Sequence, residues 1–157
     1  MKRSAPDLLP FVDGLPVLNL GAGKKLVEGT TPFDADRGWW VGDRLPFEDG
    51  TVGGAYAFHF MEHLTKTDIL NLMDELTRVF APGASLVAVT PHWSSEMAHQ
   101  DIDHKSFWGE TTWNNLLHEQ YDGTMKRGYP FRIHVSLIMG VVQRNLVTVS
   151  QIVRTET

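Results

Sequence analysis

Between Pro16 and His92 the chain repeatedly makes short apolar runs and ends each one in glycine, acid or histidine. Only one stretch in that span carries a helical period. "PVLNL" at 16–20 runs into Gly21-Ala22-Gly23, "TTPFDAD" at 30–36 ends in two acids, and "GWWVGD" ends at Asp43. "GGAYAFHF" at 53–60 carries His59 near its end, and "SLVAVTPH" at 85–92 ends at His92. Such runs read as buried strands leading into turns. From Thr65 the period changes, and Ile69, Leu72, Met73, Leu76, Val79 and Phe80 fall on one face of a helix. Thr65 with Asp68 has the spacing of a capping box, and Pro82-Gly83 marks the expected stop.

A second helix is expected around Thr112 to Gln120, and "RIHVSLIMGVV" and "LVTVSQIVR" flank Gln143-Arg144-Asn145 as a hairpin. Five buried strands with helical material between some of them, followed by a hairpin, describe one α/β domain over residues 1–157. The expected fold is a Rossmann-like open sheet of about seven strands, mostly parallel, with an antiparallel hairpin at its C-terminal end. Residues 1–15 form an N-terminal arm, and 93–110 are polar and aromatic with no clear period. The segment "KKLVEG" has room for about one helical turn, so the first crossover helix is reduced.

The 157 residues suffice for a real core, and the 42% hydrophobic and 21% charged composition is that of a globular chain. Pro6, Asp7, Pro10 and Asp13 interrupt the N-terminal apolar residues, so neither a signal peptide nor a membrane span is expected, and the chain is placed in the cytoplasm. With no cysteine, thiolate nucleophiles and thiolate-bound metals are excluded. A net charge of -5 gives no general attraction to nucleic acid.

Ligands of open α/β sheets bind at the carboxyl ends of the strands, which brings Gly21 to Gly23, Asp34, Asp43, His59 and His92 into consideration. The glycine turn does not suit a dinucleotide. Its third glycine is missing, there is no room for the helix that would meet a pyrophosphate, and Asp34 follows too soon. A P-loop fails as well, because Gly23-Lys24-Lys25 lacks the spaced glycine before it and the hydroxyl residue after it. What remains suits a cofactor without phosphates. Its body would approach the glycine backbone, an acid at the next strand end would accept two ribose hydroxyls, and Asp43 would receive an adenine amino group.

In order and spacing, "LNLGAG", "FDAD", "GDRLPFEDG", "HFMEHL", "LTRVFAPGASLVAVTPH" and "DHKSFW" resemble the class I S-adenosylmethionine-dependent methyltransferases, particularly the small type-11-like group. The resemblance spans about residues 16 to 120, and it implies that 93–110 lie as a lid over the substrate side. It implies S-adenosyl-L-methionine as cofactor, with Gly21, Ala22 and Gly23 under its methionine and ribose and Asp34 on the ribose hydroxyls, Asp36 being the competing choice. It further implies Asp43 at adenine N6, the backbone of Arg44 or Leu45 near the ring, and His59 and Phe60 beside the methionyl part. Asn19 stands where the family usually has an acid for the methionine ammonium.

Methyl transfer from a sulfonium is mostly a matter of positioning, and a base is needed only for a weak acceptor such as a hydroxyl. His92 and His104 are the candidate bases, with Asp101 or Asp103 orienting either. Glu62 and His63 read instead as structural, leading into the helix and satisfying its free backbone groups. "HQDIDH" at 99–104 concentrates imidazoles and carboxylates, but its spacing matches no zinc pattern, and no metal is expected. Trp93, Phe107 and Trp108 either wall the acceptor or cap the core.

The expected activity is methylation of a small molecule, a sugar or a terminal group of a larger substrate. Sequence-specific DNA is disfavoured because thiolate attack is impossible and no amino-methyltransferase motif is present. Two other readings stay open: a catalytically inactive cofactor-binding or regulatory module, and a nucleic-acid-associated protein using Lys126, Arg127 and Arg132 as a local basic patch.

Overall fold

The computed structural model describes residues 6–118, 128–140 and 145–156. Six strands form one sheet: β1 Val17–Leu20, β2 Thr31–Phe33, β3 Val52–Phe58, β4 Phe80–Pro91, β5 Phe131–Met139 and β6 Val147–Arg154. Their spatial order is β2-β1-β3-β4-β6-β5. The pairs β1–β2, β1–β3 and β3–β4 are parallel, with Leu18 opposite both Thr31 and Ala55, and Ala55 opposite Leu86. The β4–β6 and β6–β5 pairs are antiparallel. From β1 the chain steps to one side to make β2 and then returns to the other side for β3. The crevice outside the carboxyl ends of β1 and β3 is therefore the topological switch point, where ligands of such sheets bind.

The strand count differs from the expected seven because "GWWVGD" is a turn. Gly38 and Gly42 there have φ of 81° and 106°, which break an extended run. The Asp43 N–H donates to the Trp40 carbonyl (2.9 Å), the Trp40 N–H donates to Asp43 Oδ2 (3.0 Å), and only an isolated bridge joins Val41 to Asp43. Residues 21–30 between β1 and β2 are turns and irregular backbone without a helix.

Helix α1, Lys66–Val79, has the capping box that the sequence spells: Thr65 Oγ accepts the Asp68 N–H and Asp68 Oδ2 accepts the Thr65 N–H. It buries Ile69, Leu70, Leu72, Met73, Leu76 and Val79 against the sheet. The helix ends before Pro82-Gly83, because Phe80 already pairs with Val52 in β4 and packs on Phe131. Two shorter helices follow, α2 Glu96–Gln100 and α3 Thr112–Leu117.

The N-terminal arm has a structural task. Phe11 packs edge-on to Tyr56 of β3 at 4.9 Å, and a Cβ on Gly54 would lie 2.2 Å from the Phe11 ring. Buried Gln151 of β6 ties the arm down by accepting the Leu9 N–H and donating to the Leu9 carbonyl (2.8 and 2.9 Å). Among the described residues no helix is long and apolar enough to cross a membrane. Lys126 and Arg127 lie outside the described residues; Arg132 is an exposed residue of β5.

Candidate functional site

At the end of β1, Asn19 is buried and its Nδ2 donates to the Lys25 carbonyl (3.2 Å), folding the glycine turn back on the strand. The Gly21 N–H donates to the Phe33 carbonyl (2.8 Å), so the turn abuts the end of β2. The two glycines serve different ends. Gly21 has φ 66° and faces Phe60, whose ring would be 2.3 Å from an added Cβ, whereas Gly23 has φ 52° and open space beside it. A cleft of about 650 Å³ lies over this turn, lined by Asn19, Gly21, Ala22, Gly23, Lys24, Lys25, Phe58 and His59 among others.

Asp34 follows β2 and is 9% exposed. Its Oδ1 accepts the Arg37 N–H (3.0 Å), capping a single 3-10 turn at Ala35–Arg37. Oδ2 lies 3.3 Å from Arg37 Nε but receives no hydrogen bond from any described residue. Asp34 lines a second cleft of about 250 Å³ with Trp39, Trp40, Val41, Phe60 and His63. The buried indole N–H of Trp39 is likewise without a hydrogen-bond partner among the described residues. An unused acceptor and an unused donor beside aromatic surfaces complement a nucleoside.

The remaining adenosine candidates lie outside that cleft. Asp36 is exposed. Asp43 is exposed and its carboxylate closes the Trp40 turn. Arg44 is exposed, while Leu45 is buried in the core, its N–H bonded to Glu75 Oε1 (2.7 Å) and its carbonyl accepting from Arg78 (3.1 Å). The aromatic surface of this cleft comes from Trp39, Trp40 and Phe60; sequence reasoning named Phe60, for the methionyl part, and missed the two tryptophans. A pair of tryptophans directly after the strand-end acids was the available signal.

A third cleft of about 600 Å³ is lined by His59, Glu62, His63, Met97, Asp101 and His104 among others. His59 also lines the glycine cleft and His63 also lines the aromatic cleft, so these two imidazoles stand where the three spaces meet. His59 is the one non-glycine residue with positive φ (51°) among the described residues, a strained backbone of the kind that clusters at functional sites. From segment 93–110, Met97, Asp101 and His104 line the third cleft and Lys105 lines the aromatic one.

His104 and Asp101 thus sit together, Nε2 to Oδ2 at 3.7 Å. Asp103 is exposed and its N–H donates to Asp101 Oδ1 (2.9 Å). His92 does not join them. It is buried, with Nδ1 against Ser94 Oγ (2.7 Å) and Nε2 against Glu110 Oε2 (2.9 Å), and it lines none of the three clefts. Its strand-end position suggested a base, but both ring nitrogens are occupied in anchoring the following loop. Glu110's own backbone N–H and then the His92 hydrogen bond hold that carboxyl below its ordinary value. Trp108 is buried against Trp113 at 4.9 Å and belongs to the core, whereas Trp93 and Phe107 are exposed. Glu62 and His63 do not cap α1, a role that Thr65 and Asp68 fill.

No family model matches the sequence, and no curated protein matches it. Solved structures do match. A chain from a Haloferax volcanii complex of the Trm112 methyltransferase activator with a methyltransferase superposes at a TM-score of 0.63, with 10% identity over 94% of this chain and 85% of that one. A Methanosarcina mazei S-adenosylmethionine-dependent methyltransferase gives 0.60 with 14% identity over 96% and 99%. One from Mesorhizobium loti gives 0.59 with 14% identity over 93% and 94%. With its switch-point crevice and glycine turn, the chain has the fold of the class I S-adenosylmethionine-dependent methyltransferases.

Proposed function

We propose that this chain is a methyltransferase that uses S-adenosyl-L-methionine and acts on a small molecule, a sugar or a terminal group of a larger substrate. The observation that carries the reading is the buried Asp34 carboxylate, whose second oxygen has no hydrogen-bond donor among the described residues at the switch point of a fold shared with such enzymes. That oxygen is matched to ribose hydroxyls. The tryptophans and Phe60 supply flat apolar surface for the base, and the glycine turn with Lys24 and Lys25 would take the amino-acid end. Asn19 serves by shaping that turn, since its amide is already bonded to Lys25.

The bound cofactor supplies an electrophilic methyl group on a sulfonium. The chain's part is to exclude water and hold the acceptor in line, and such orientation contributes about 7–11 kcal/mol in well-aligned reactions. The acceptor would occupy the third cleft, because His59 joins it to the glycine cleft. His104 donates from Nδ1 to the Ala98 carbonyl (3.0 Å), which leaves the Nε2 lone pair of the neutral ring toward Asp101 and the cleft. That lone pair can hold the proton of a hydroxyl acceptor.

Calorimetric titration with S-adenosylmethionine and S-adenosylhomocysteine tests the reading. Wild type is expected to bind one equivalent of each. Asp34→Asn, which keeps an N-cap oxygen, is expected to bind roughly tenfold or more weakly, the range for losing charge-assisted hydrogen bonds. Absence of binding by the folded wild type would reject the proposal. Binding without turnover across an acceptor screen would favour a cofactor-binding module.

A further inference from the structure

Glu62 is only 2% exposed, yet neither of its carboxylate oxygens has a hydrogen-bond partner among the described residues. A buried carboxylate left in that condition is costly, so its surroundings call for a positive charge. They are arranged for one. Oε1 lies 3.6 Å from His59 Nδ1 and 4.0 Å from His63 Nε2, too far for hydrogen bonds to either. The His63 and His104 rings meet edge to face with centroids 4.9 Å apart. One ligand atom each from Glu62, His63 and His104 can be chosen so that all three lie within 4.8 Å of one another.

We propose that Glu62, His63 and His104 bind one divalent transition-metal ion at the floor of the third cleft. Donor atoms about 2.1 Å from a common ion lie roughly 3–3.5 Å apart, so the observed triangle closes by small side-chain rotations. The surroundings hold the donors ready. His104 Nδ1 donates to the Ala98 carbonyl, fixing the tautomer that leaves Nε2 to a metal, the outer-sphere arrangement usual for ligating histidines. The backbone fixes the spacing of the two segments: the Glu62 carbonyl accepts from the N–H groups of Lys105 (2.7 Å) and Ser106 (3.1 Å), and Ser106 Oγ donates to the Met61 carbonyl (2.9 Å).

Two imidazoles and a carboxylate, in a chain with no cysteine, select borderline ions such as Mn²⁺, Fe²⁺, Co²⁺ or Zn²⁺ rather than soft ones. Asp101, half exposed and 3.7 Å from His104 Nε2, is placed to add a fourth donor. Positions left open face the cleft, where the ion would bind an oxygen of the methyl acceptor. That last role rests on the methyltransferase reading, and in it His104 acts as a ligand instead of as a base.

The test is titration of chelator-treated full-length protein with Mn²⁺, Co²⁺ and Zn²⁺ in the absence of cofactor, read by calorimetry and by the visible absorption of bound Co²⁺. One ion per chain is expected. Glu62→Gln, His63→Ala and His104→Ala should each weaken binding at least tenfold. His134→Ala, at a β5 residue whose imidazole bonds the Asp7 carbonyl of the N-terminal arm, should leave it unchanged. Three variants with different burial guard against one failing to fold. Absence of stoichiometric binding, or equal binding by the three folded variants, would overturn the site. A parallel titration with S-adenosylmethionine separates the two proposals, since the metal site and the cofactor cleft can fail independently.

Discussion

Two glutamates sit at opposite ends of the parallel part of the sheet and differ in what surrounds them. Glu75, near the end of α1, accepts from the Leu45 N–H (2.7 Å), from Arg78 Nε (3.1 Å) and from Arg78 Nη2. Arg78 also donates to the Phe47 carbonyl (2.8 Å), the Leu45 carbonyl (3.1 Å) and Asp49 Oδ1 (3.0 Å). This fully bonded knot stitches the long connection before β3 to the helix at the amino ends of the strands. Burial by itself would raise the Glu75 carboxyl, but the Arg78 hydrogen bond, the Leu45 N–H and the guanidinium charge outweigh it and hold the group below its ordinary value. Glu62, at the carboxyl ends, is more deeply buried and has none of these bonds. Saturated polar groups mark the end of the sheet that maintains the fold; unsaturated ones gather at the carboxyl ends, where ligands of such sheets bind.

The contrast can be broken most severely at Gly21. Gly21→Ala must place a side chain at φ 66° and 2.3 Å from the Phe60 ring, and about 3–4 kcal/mol of stability should be lost. Gly23→Ala, with similar φ but open space, should lose only about 1–2 kcal/mol. Urea denaturation of both variants separates crowding from backbone strain. Equal losses would show that Phe60 yields freely.

Arg78→Ala attacks the saturated end. It strands the Glu75 carboxylate and two carbonyls, and about 3 kcal/mol should be lost by the same assay, with cofactor affinity unchanged wherever the protein remains folded. Glu62→Gln should behave oppositely. Replacing a buried carboxylate that has no hydrogen bond among the described residues by a neutral amide is expected to leave metal-free stability unchanged or raised by up to about 1 kcal/mol. A loss of several kcal/mol would mean that Glu62 belongs with Glu75 as a scaffold group.

The smallest effect concerns acid. Because the folded state holds the Glu75 carboxyl below its ordinary 4.5, the unfolded chain takes up the proton first, so this contribution is present above that pH and is lost as pH falls through the lower folded value. Denaturation midpoints of wild type should therefore decline with acid below about pH 4.5 more steeply than those of Glu75→Gln.

Much of the fold was legible because its signals are local. The short apolar runs became β1, β2, β3 and β4, the change of period became α1, and the Thr65 and Asp68 spacing became its cap. "GWWVGD" misled because Trp39 and Val41 alternate like a strand while the flanking glycines turn the backbone. Position at a strand end also overstated His92, since nothing in a linear reading shows that Ser94 and Glu110 occupy its ring. The glycine turn and the place of Asp34 at the end of β2 were legible in the same local way. The nearness of His104 to Glu62 and His63 was not, because it depends on segment 93–110 folding back onto the turn after β3.

By itself, then, the sequence determined which residues extend, turn and coil, and hence an open α/β sheet with a glycine turn at the end of its first strand. These follow from apolar period, cap spacing and glycine placement, which act over a few residues. The tertiary structure decided which polar groups are satisfied. It seated Phe60 on Gly21, left the second oxygen of Asp34 and both oxygens of Glu62 without donors among the described residues, and set two imidazoles around the latter. Burial and hydrogen-bond saturation depend on chain segments far apart in sequence, so they arise only when the sheet has closed over its core.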